Sequence, residues 1–211
     1  MLRLTDAPAS LTTVVFDVGG VLLDWNPRYL YRKLMTDEAA MEDFLARVCT
    51  PAWNHRQDEG RAFADAVAER CALFPEFAEL IVAYDHRWEE MLGGEIVPTV
   101  ELLYRLKDRG VRLLALTNFS AEKFPQAQQR YPFFACFEAI MVSGEVGIAK
   151  PDPRIFAYLI AVCGLQPGDC LYTDDVPANV AAACHAGFHA IHFTSAAALE
   201  DVLRQSGLLD S

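Results

Sequence analysis

Apolar residues along this chain follow two periods. Nearly uninterrupted runs at 12–16, 111–116, 139–142 and 170–173, with a fifth at 189–193, are short and bounded by turn-forming residues. Runs of that length read as strands of a parallel sheet covered on both faces. Between them apolar positions recur every three or four residues, the period of a helix packed by one face. Pro98 opens one such segment, which carries Val100, Leu103 and Leu106 and closes at Gly110. Asp152 and Pro153 start another, with Ile155, Leu159 and Val162 along it and Gly164 at its end. Proline suits a first helical turn, where its missing N–H has no intrahelical partner to lose, and glycine suits the left-handed position after the last turn. Segments 177–187 and 195–207 repeat the scheme.

Strands alternating with helices from about residue 95 onward predict an α/β Rossmann-like three-layer sandwich, a parallel sheet with right-handed crossovers. The stretch between the first two strands differs. Helix starts at Asn26-Pro27, Thr36-Asp37 and Thr50-Pro51 head amphipathic segments, and no strand pattern is evident from 25 to 94. The expected division is a core of residues 1–24 and 95–211 with a small α-helical cap domain, 25–94, inserted after strand one. At 211 residues the chain is long enough for one core plus such an insertion.

Composition narrows the function. A hydrophobic share of 53 % against 22 % charged residues belongs to a chain that folds. The net charge of -11 argues against nucleic acid as a partner, because that affinity is built from clustered Lys and Arg. The first ten residues, MLRLTDAPAS, lack a sustained apolar core, and no later run approaches the ~20 residues that span a bilayer. No membrane partner and a cytoplasmic location are the expectation. Cys49, Cys71, Cys136, Cys163, Cys170 and Cys184 form no CxxC pair and read as reduced thiols.

The candidate chemistry lies at the strand ends. The first run ends in Asp17, the second in Thr117-Asn118, the third leads through a glycine-containing turn to Lys150, and the fourth ends in Asp174-Asp175. Ligands of open parallel sheets bind beyond the carboxyl ends of the strands, so these residues are expected to converge. Three converging carboxylates repel one another, and a hard divalent cation resolves the repulsion. Magnesium prefers oxygen ligands and commonly takes one or two carboxylates, leaving room for water and phosphate. Lys150 can balance phosphate charge, and the Thr117 hydroxyl can donate to a phosphate oxygen. Each residue alone has an ordinary explanation: an Asp can cap a turn, a Lys can be a solvated charge. Their joint order and placement point to a site.

The phrases FDVGGVLLDWNP around Asp17, LTNFS around Thr117, SGEVGIAKPDPRIF around Lys150 and YTDDVPANVAAACHAGF around Asp175 resemble the haloacid dehalogenase superfamily of aspartate-nucleophile hydrolases, and within it the helical-cap phosphatases. The resemblance covers essentially the whole chain, the cap by length and helicity alone. It implies that Asp17 attacks phosphorus to form an aspartyl-phosphate, splitting one difficult displacement into two steps. It also implies Mg2+ held by the Asp17 and Asp175 carboxylates and the Gly19 carbonyl, with Asp174 in support directly or through water. Catalytic roles fall to Asp17, Thr117 and Lys150, and phosphate binding to Thr117, Asn118 and Lys150. Asn179 stands where the family keeps a polar residue that orders the acidic loop, or else is a helix-surface residue.

One position departs from the family pattern. Its phosphatases usually carry an Asp two residues after the nucleophile as general acid, and here that residue is Gly19. General acid–base catalysis commonly contributes ~10²–10⁴-fold, so the gap matters. Three readings follow: a phosphatase that recruits another acid or water, with cap residues His55 and Asp58 as candidates; a 2-haloacid dehalogenase, whose halide leaves without a proton; and a catalytically weak phosphate-binding or regulatory protein. The first is favoured, acting on a small phosphorylated metabolite such as a sugar phosphate. Gly19→Asp would restore an acid, against the cost of a side chain where the glycine lets the backbone approach metal and substrate closely. Trp53, His55, Arg56 and Asp58 are the candidate specificity residues of the insertion, with Trp25, Arg61, Tyr84, His86, Arg87 and Trp88 as further aromatic and charged positions there.

Overall fold

The computed structural model describes residues 11–210; the ten N-terminal residues, read above as lacking an apolar core, and Ser211 lie outside it. The chain opens with β1 (Thr13–Phe16) and turns into β2 (Leu23–Trp25). Five helices follow: α1 (Arg28–Leu34), α2 (Glu38–Arg47), α3 (Pro51–Asp58), α4 (Phe63–Leu73) and α5 (Ala78–His86). After β3 (Leu92–Glu95) the chain alternates through α6 (Val97–Asp108), β4 (Arg112–Thr117), α7 (Phe124–Arg130), β5 (Ala139–Val142), α8 (Ser143–Val146), α9 (Pro153–Cys163), β6 (Cys170–Asp174), α10 (Pro177–His185), β7 (His189–His192) and α11 (Ala196–Gln205).

Five strands form a parallel sheet in the order β5-β4-β1-β6-β7. Phe16 on central β1 pairs with Ala115 of β4 on one side and Thr173 of β6 on the other. The connection from β1 runs to β4 on one side while that from β6 runs to β7 on the other, and the crevice at that switch point is where such sheets take ligands. Strand side chains alternate between two cores, as a period of two requires. Val14, Phe16, Leu113, Ala115 and Leu171 pack with α6 and α11, while Val15, Leu114, Leu116, Cys170 and Tyr172 pack with α9. The result is the three-layer α/β architecture that the apolar runs predict.

Helix ends also follow the sequence. Asp37 accepts from the Ala39 and Ala40 amides, Thr50 Oγ1 from the Trp53 amide at 3.0 Å, and Asp152 from the Arg154 amide at 2.9 Å. These caps satisfy N–H groups that a first turn leaves without partners. Gly164 closes α9 at φ +60°, the left-handed conformation glycine adopts at no steric cost.

The expectation that 25–94 holds no strand is corrected. β2 and β3 pair antiparallel as a two-stranded ribbon, Leu23 opposite Glu95 and Asp24 opposite Gly94. Leu23-Asp24-Trp25 alternates over only three residues, and Leu92-Gly93-Gly94-Glu95 is half glycine, so the local signal is too short to mark the pair. The pairing depends on the intervening helices bringing its two halves together. Gly93 is required: a Cβ there would lie 2.3 Å from Asp24 Oδ2, the atom that accepts the Tyr29 hydroxyl at 2.6 Å.

The inserted helices bury Tyr31, Phe44, Trp53, Phe63 and Tyr84, and this cluster is continuous with the core on the α6 side of the sheet. Trp88 carries the continuity across, its ring 5.3 Å from that of Phe119. Polar ties reinforce it. Lys123 Nζ donates to the Asp85 carbonyl at 3.0 Å and pairs with its carboxylate, and Glu122 accepts from the Phe63 amide at 2.9 Å. All six cysteines are free. No helix among the described residues is long and apolar enough to cross a membrane.

Candidate active site

Asp17 follows β1 directly, and its amide continues the ladder by donating to the Thr173 carbonyl at 2.9 Å. The chain then turns sharply: the Val21, Leu22 and Leu23 amides all converge on the Val18 carbonyl, and Gly20 supports the turn at φ +71°. Thr117 ends β4, Asp174 ends β6, and Asp175 follows it. Lys150 arrives from another direction, on the loop between α8 and α9, ahead of a cis bond to Pro151. Elements far apart in sequence therefore bring Asp17, Gly19, Thr117, Asn118, Lys150, Asp174 and Asp175 to one edge of the sheet.

Lys150 is buried at the centre. Its Nζ lies 2.8 Å from Asp17 Oδ1, 2.7 Å from Asp174 Oδ2 and 2.9 Å from the Leu116 carbonyl. Burial opposes its charge, yet Asp17 and Asp174 outweigh that and hold its pKa above the ordinary value. The position of the ammonium is set through its backbone. Asn118 Oδ1 accepts from the Lys150 amide at 2.8 Å and Asn118 Nδ2 donates to the Lys150 carbonyl at 2.9 Å. The Asn118 side chain is thus engaged with the protein.

Asp174 is fully buried and heavily hydrogen-bonded. Oδ2 accepts from Lys150, from the Tyr172 hydroxyl at 2.5 Å and from Asn179 at 3.1 Å; Oδ1 accepts from the Val176 amide at 2.8 Å and from Asn179 at 3.0 Å. Asn179 is buried and orders the acidic loop; it is not a helix-surface residue. Tyr172 was not singled out by the sequence reading. Its position two residues before Asp174 on one strand, hence on the same face, is the signal that marks it.

Oxygens of Asp17, Asp174 and Asp175 lie within 4.8 Å of one another. Burial pushes the Asp17 carboxyl up to about 7, with Lys150 opposing and Asp174 adding to the rise. Burial and then Asp174 raise Asp175 as well. The donor set fits a hard cation. Val18 N and Lys150 address Asp17 Oδ1 and no described residue donates to Oδ2, while the Asp175 carboxylate receives no other side chain. Asp175 lies directly against Gly20, where a Cβ would fall 2.3 Å from Oδ2. Asp174, its lone pairs engaged, suits support through water.

Thr117 completes the edge. Its hydroxyl is buried and has no hydrogen-bond partner among the described residues. A cavity of about 140 Å³ is lined by Gly19, Asn118, Phe119 and Ser120 from the sheet edge, Leu23 and Trp25 from the ribbon, and Asn54, Asp58, Phe63 and Trp88 from the insertion. A wider cavity of about 520 Å³ reaches Arg28, Glu42, His55, Asp58 and Tyr84.

The insertion candidates therefore separate. Asp58 lines both cavities, and His55 lines the wider one. Arg56 is exposed and lines neither, and Trp53 packs edge-on against Tyr84 at 5.0 Å within the helical core. Of the further positions, Trp25 and Trp88 line the inner cavity, while Arg61 and Arg87 pair with Glu69 and Glu90. The sequence reading missed Asn54, whose spacing of four from Asp58 on one helix face is the available signal.

Comparison with known proteins agrees with this geometry. The family described as haloacid dehalogenase-like hydrolases matches residues 11–187. A sesquiterpene phosphatase of Aspergillus oryzae is 24 % identical over 191 residues, covering 90 % of this chain and 94 % of the relative. A phosphoserine phosphatase of Thermus thermophilus is 31 % identical over 150 residues, 66 % of this chain and 57 % of the relative. Among solved structures, an enzyme of the same family from Bacteroides thetaiotaomicron in complex with magnesium and inorganic phosphate superposes with a TM-score of 0.67 at 18 % identity, covering 88 % of this chain and 95 % of the other. A dehalogenase superposes with a TM-score of 0.68 at 20 % identity, covering 92 % and 98 %.

Proposed function

The chain belongs to the haloacid dehalogenase-like hydrolases, and from that premise we propose that it hydrolyses a small phosphomonoester through an aspartyl-phosphate on Asp17. The observation that carries this reading is the Thr117 hydroxyl, buried without a partner among the described residues, at the end of the strand whose Leu116 carbonyl accepts from a Lys150 ammonium held between two carboxylates. A buried donor left unsatisfied costs about 1–3 kcal/mol, and a phosphate oxygen supplies the partner. Curated relatives that act on phosphate esters support the same chemistry.

Asp17 and Asp175, with the Gly19 carbonyl, would hold Mg2+, and Asp174 would support it through water. The cation supplies charge neutralisation that lets a carboxylate approach an anionic phosphate. Lys150 holds Asp17 in place and offsets phosphate charge, and Thr117 donates to a phosphate oxygen. Asn118 acts here through Lys150, and any phosphate contact of its own uses its backbone N–H. Attack by the Asp17 carboxylate on phosphorus expels the alcohol; water then cleaves the acyl phosphate and frees inorganic phosphate.

The insertion, 25–94, acts in this reading as a cap over a core of 1–24 and 95–211. It supplies Trp25, Phe63 and Trp88 to the inner cavity, walls that exclude water and favour a leaving group with an apolar face. Sugar rings and short alkyl chains both present one. Absence of a carboxylate at Gly19 favours the second reading, 2-haloacid dehalogenation, since halide leaves without a proton. The cluster of Asp17, Asp174 and Asp175 weighs against it, because halide displacement needs no cation.

Phosphate release across small phosphomonoesters, with and without magnesium, tests the proposal. Magnesium-dependent release is expected; halide release from 2-haloacids with no phosphatase activity would overturn it.

A further inference from the structure

We propose that Asp58 is the general acid and base of this site, donating a proton to the departing alcohol oxygen and then taking one from the hydrolytic water. The assignment rests on the phosphomonoesterase reading above. It answers a specific gap: Gly19 stands where that chemistry needs a carboxyl group. Gly19 and Asp58 line the same inner cavity, one from the turn after β1 and the other from the end of α3. Asp58 is the one titratable side chain among the residues lining that cavity. His55 lines the wider cavity alone and is turned toward Glu59, 3.6 Å away.

The carboxyl is held in place. Asn54 Nδ2 donates to Asp58 Oδ2 at 3.0 Å, and the buried Tyr84 hydroxyl fixes Asn54 by donating to its Oδ1 at 2.9 Å. No described residue donates to Asp58 Oδ1. The Ser143 hydroxyl donates to the Asp58 backbone carbonyl, fastening the end of α3 to the core beside the sheet edge. A relay of this kind, running from a core tyrosine through an amide to one carboxyl oxygen, leaves the other oxygen for substrate.

The surroundings set the protonation. Phe63, Trp25 and Trp88 are the apolar neighbours in the cavity. Burial and then the adjacent Glu59 push the Asp58 carboxyl up to about 7. The other titratable groups facing it are His55 on its own helix, Tyr84 from α5, Cys49 and, across the wider cavity, Arg28 and Glu42, which are paired with each other. A group with a pKa near the working pH is present in both forms and serves as acid and base in turn.

The steps balance as follows. As the Asp17 carboxylate forms its bond to phosphorus, the bond from phosphorus to the ester oxygen breaks. That oxygen takes the proton of neutral Asp58 and departs as the alcohol. Asp58, now a carboxylate, removes a proton from water as the water oxygen bonds to phosphorus. The bond to Asp17 breaks, inorganic phosphate leaves, and Asp58 is again protonated.

The test is leaving-group dependence in wild type and Asp58→Asn, with p-nitrophenyl phosphate as the aryl ester and ethyl phosphate as the alkyl ester. Phenolates of low basicity leave unaided, whereas an alkoxide needs the proton. In the first turnover, which reads the phosphorylation step alone, Asp58→Asn is expected to slow alcohol release from ethyl phosphate by about 10²–10⁴-fold, the range general acids supply, and p-nitrophenol release far less, while steady-state turnover falls on both esters because the shared water step loses its base. A first-turnover burst of p-nitrophenol also reports a folded site. A second variant, Asn54→Ala, keeps Asp58 but removes a donor to its ionised form, so the alkaline fall of the ethyl phosphate profile is expected to move to higher pH. Equal loss of first-turnover release on both esters in Asp58→Asn, or no loss on either, with an unmoved profile in Asn54→Ala, would overturn the assignment. Wild type inert toward both esters would instead remove the phosphomonoesterase reading, and this assignment with it.

Discussion

Asn118 closes a two-membered clamp on the backbone of Lys150, accepting from its amide at 2.8 Å and donating to its carbonyl at 2.9 Å. The two residues belong to different loops, so the clamp fixes where the Lys150 ammonium sits between Asp17 and Asp174. Asn118→Ala keeps every charge of the site and frees that loop. Turnover is expected to fall about tenfold to a hundredfold, the scale of one or two lost buried hydrogen bonds. Magnesium affinity is expected to stay near wild type. Steady-state kinetics and metal titration on the variant check both.

Lys150 is a structural group as well as a chemical one. Truncating a solvated lysine changes stability by no more than about 0.5 kcal/mol. Removing one partner of a buried ion pair costs about 3–5 kcal/mol, because the remaining charges lose their counter-ion. Lys150→Ala is therefore expected to lower the urea unfolding free energy by an amount in the second range and to abolish measurable turnover. A loss inside the first range would contradict the observed burial.

Thr117 predicts the opposite combination. Its hydroxyl has no protein partner to lose, so Thr117→Val, close in shape, is expected to leave the ligand-free protein as stable as wild type or more so. Affinity for inorganic phosphate is expected to fall about tenfold, one hydrogen bond to an ionised oxygen. Thermal unfolding with and without phosphate separates the two effects.

Much of this architecture is legible in the sequence because its signals are local. The strands of the parallel sheet are apolar runs, and Asp37, Thr50 and Asp152 cap helices where they stand beside prolines or acidic first turns. Asp17, Lys150 and Asp174 are readable as neighbours because strand ends converge in a parallel sheet whatever the loops do. The β2–β3 ribbon is not readable in this way. Its pairing is non-local, and its glycines are chosen by what packs against them, as Asp24 packs against Gly93. The relay Tyr84–Asn54–Asp58 is half legible: the spacing of Asn54 and Asp58 places them on one face, but nothing in sequence says that α5 delivers Tyr84 to them. Trp53 illustrates the converse, an aromatic residue near the site in sequence that the helical core absorbs.

Asp58 also gives stability a pH signature. Burial disfavours the charge and pushes its folded-state carboxyl from the ordinary 3.8 up to about 7. Between those values the folded protein binds more protons at this group than the unfolded chain does, so stability falls as pH rises and levels off above about 7. Asp58→Asn removes that contribution. The loss of urea midpoint between pH 5.5 and 8 is expected to be smaller in the variant than in wild type. An identical slope in the two proteins would show that Asp58 ionises in the folded state as freely as in the unfolded one.

Gly19 and Gly20 are adjacent, yet the structure gives them opposite tolerance. A Cβ at Gly19 meets no protein atom within 4 Å, and its φ lies outside the left-handed region, so the protein itself leaves room for a side chain there. A Cβ at Gly20 would fall 2.3 Å from Asp175 Oδ2, at a residue whose φ is +71°. Gly20→Ala must therefore strain the backbone and displace a carboxylate that the cation site uses. Backbone strain of this kind costs about 1–3 kcal/mol, and loss of the Asp175 position adds weakened magnesium binding. Gly19→Ala is expected to retain wild-type thermal stability and magnesium affinity, while Gly20→Ala loses both. Isothermal titration with magnesium and thermal unfolding of the two variants make the comparison. Equal behaviour would mean that Asp175 does not rest on Gly20 in solution. If Gly19→Ala behaves as expected, Gly19→Asp becomes a feasible way to place a second carboxyl in the inner cavity, and its effect on ethyl phosphate turnover in the Asp58→Asn background would report how closely the two positions serve one oxygen.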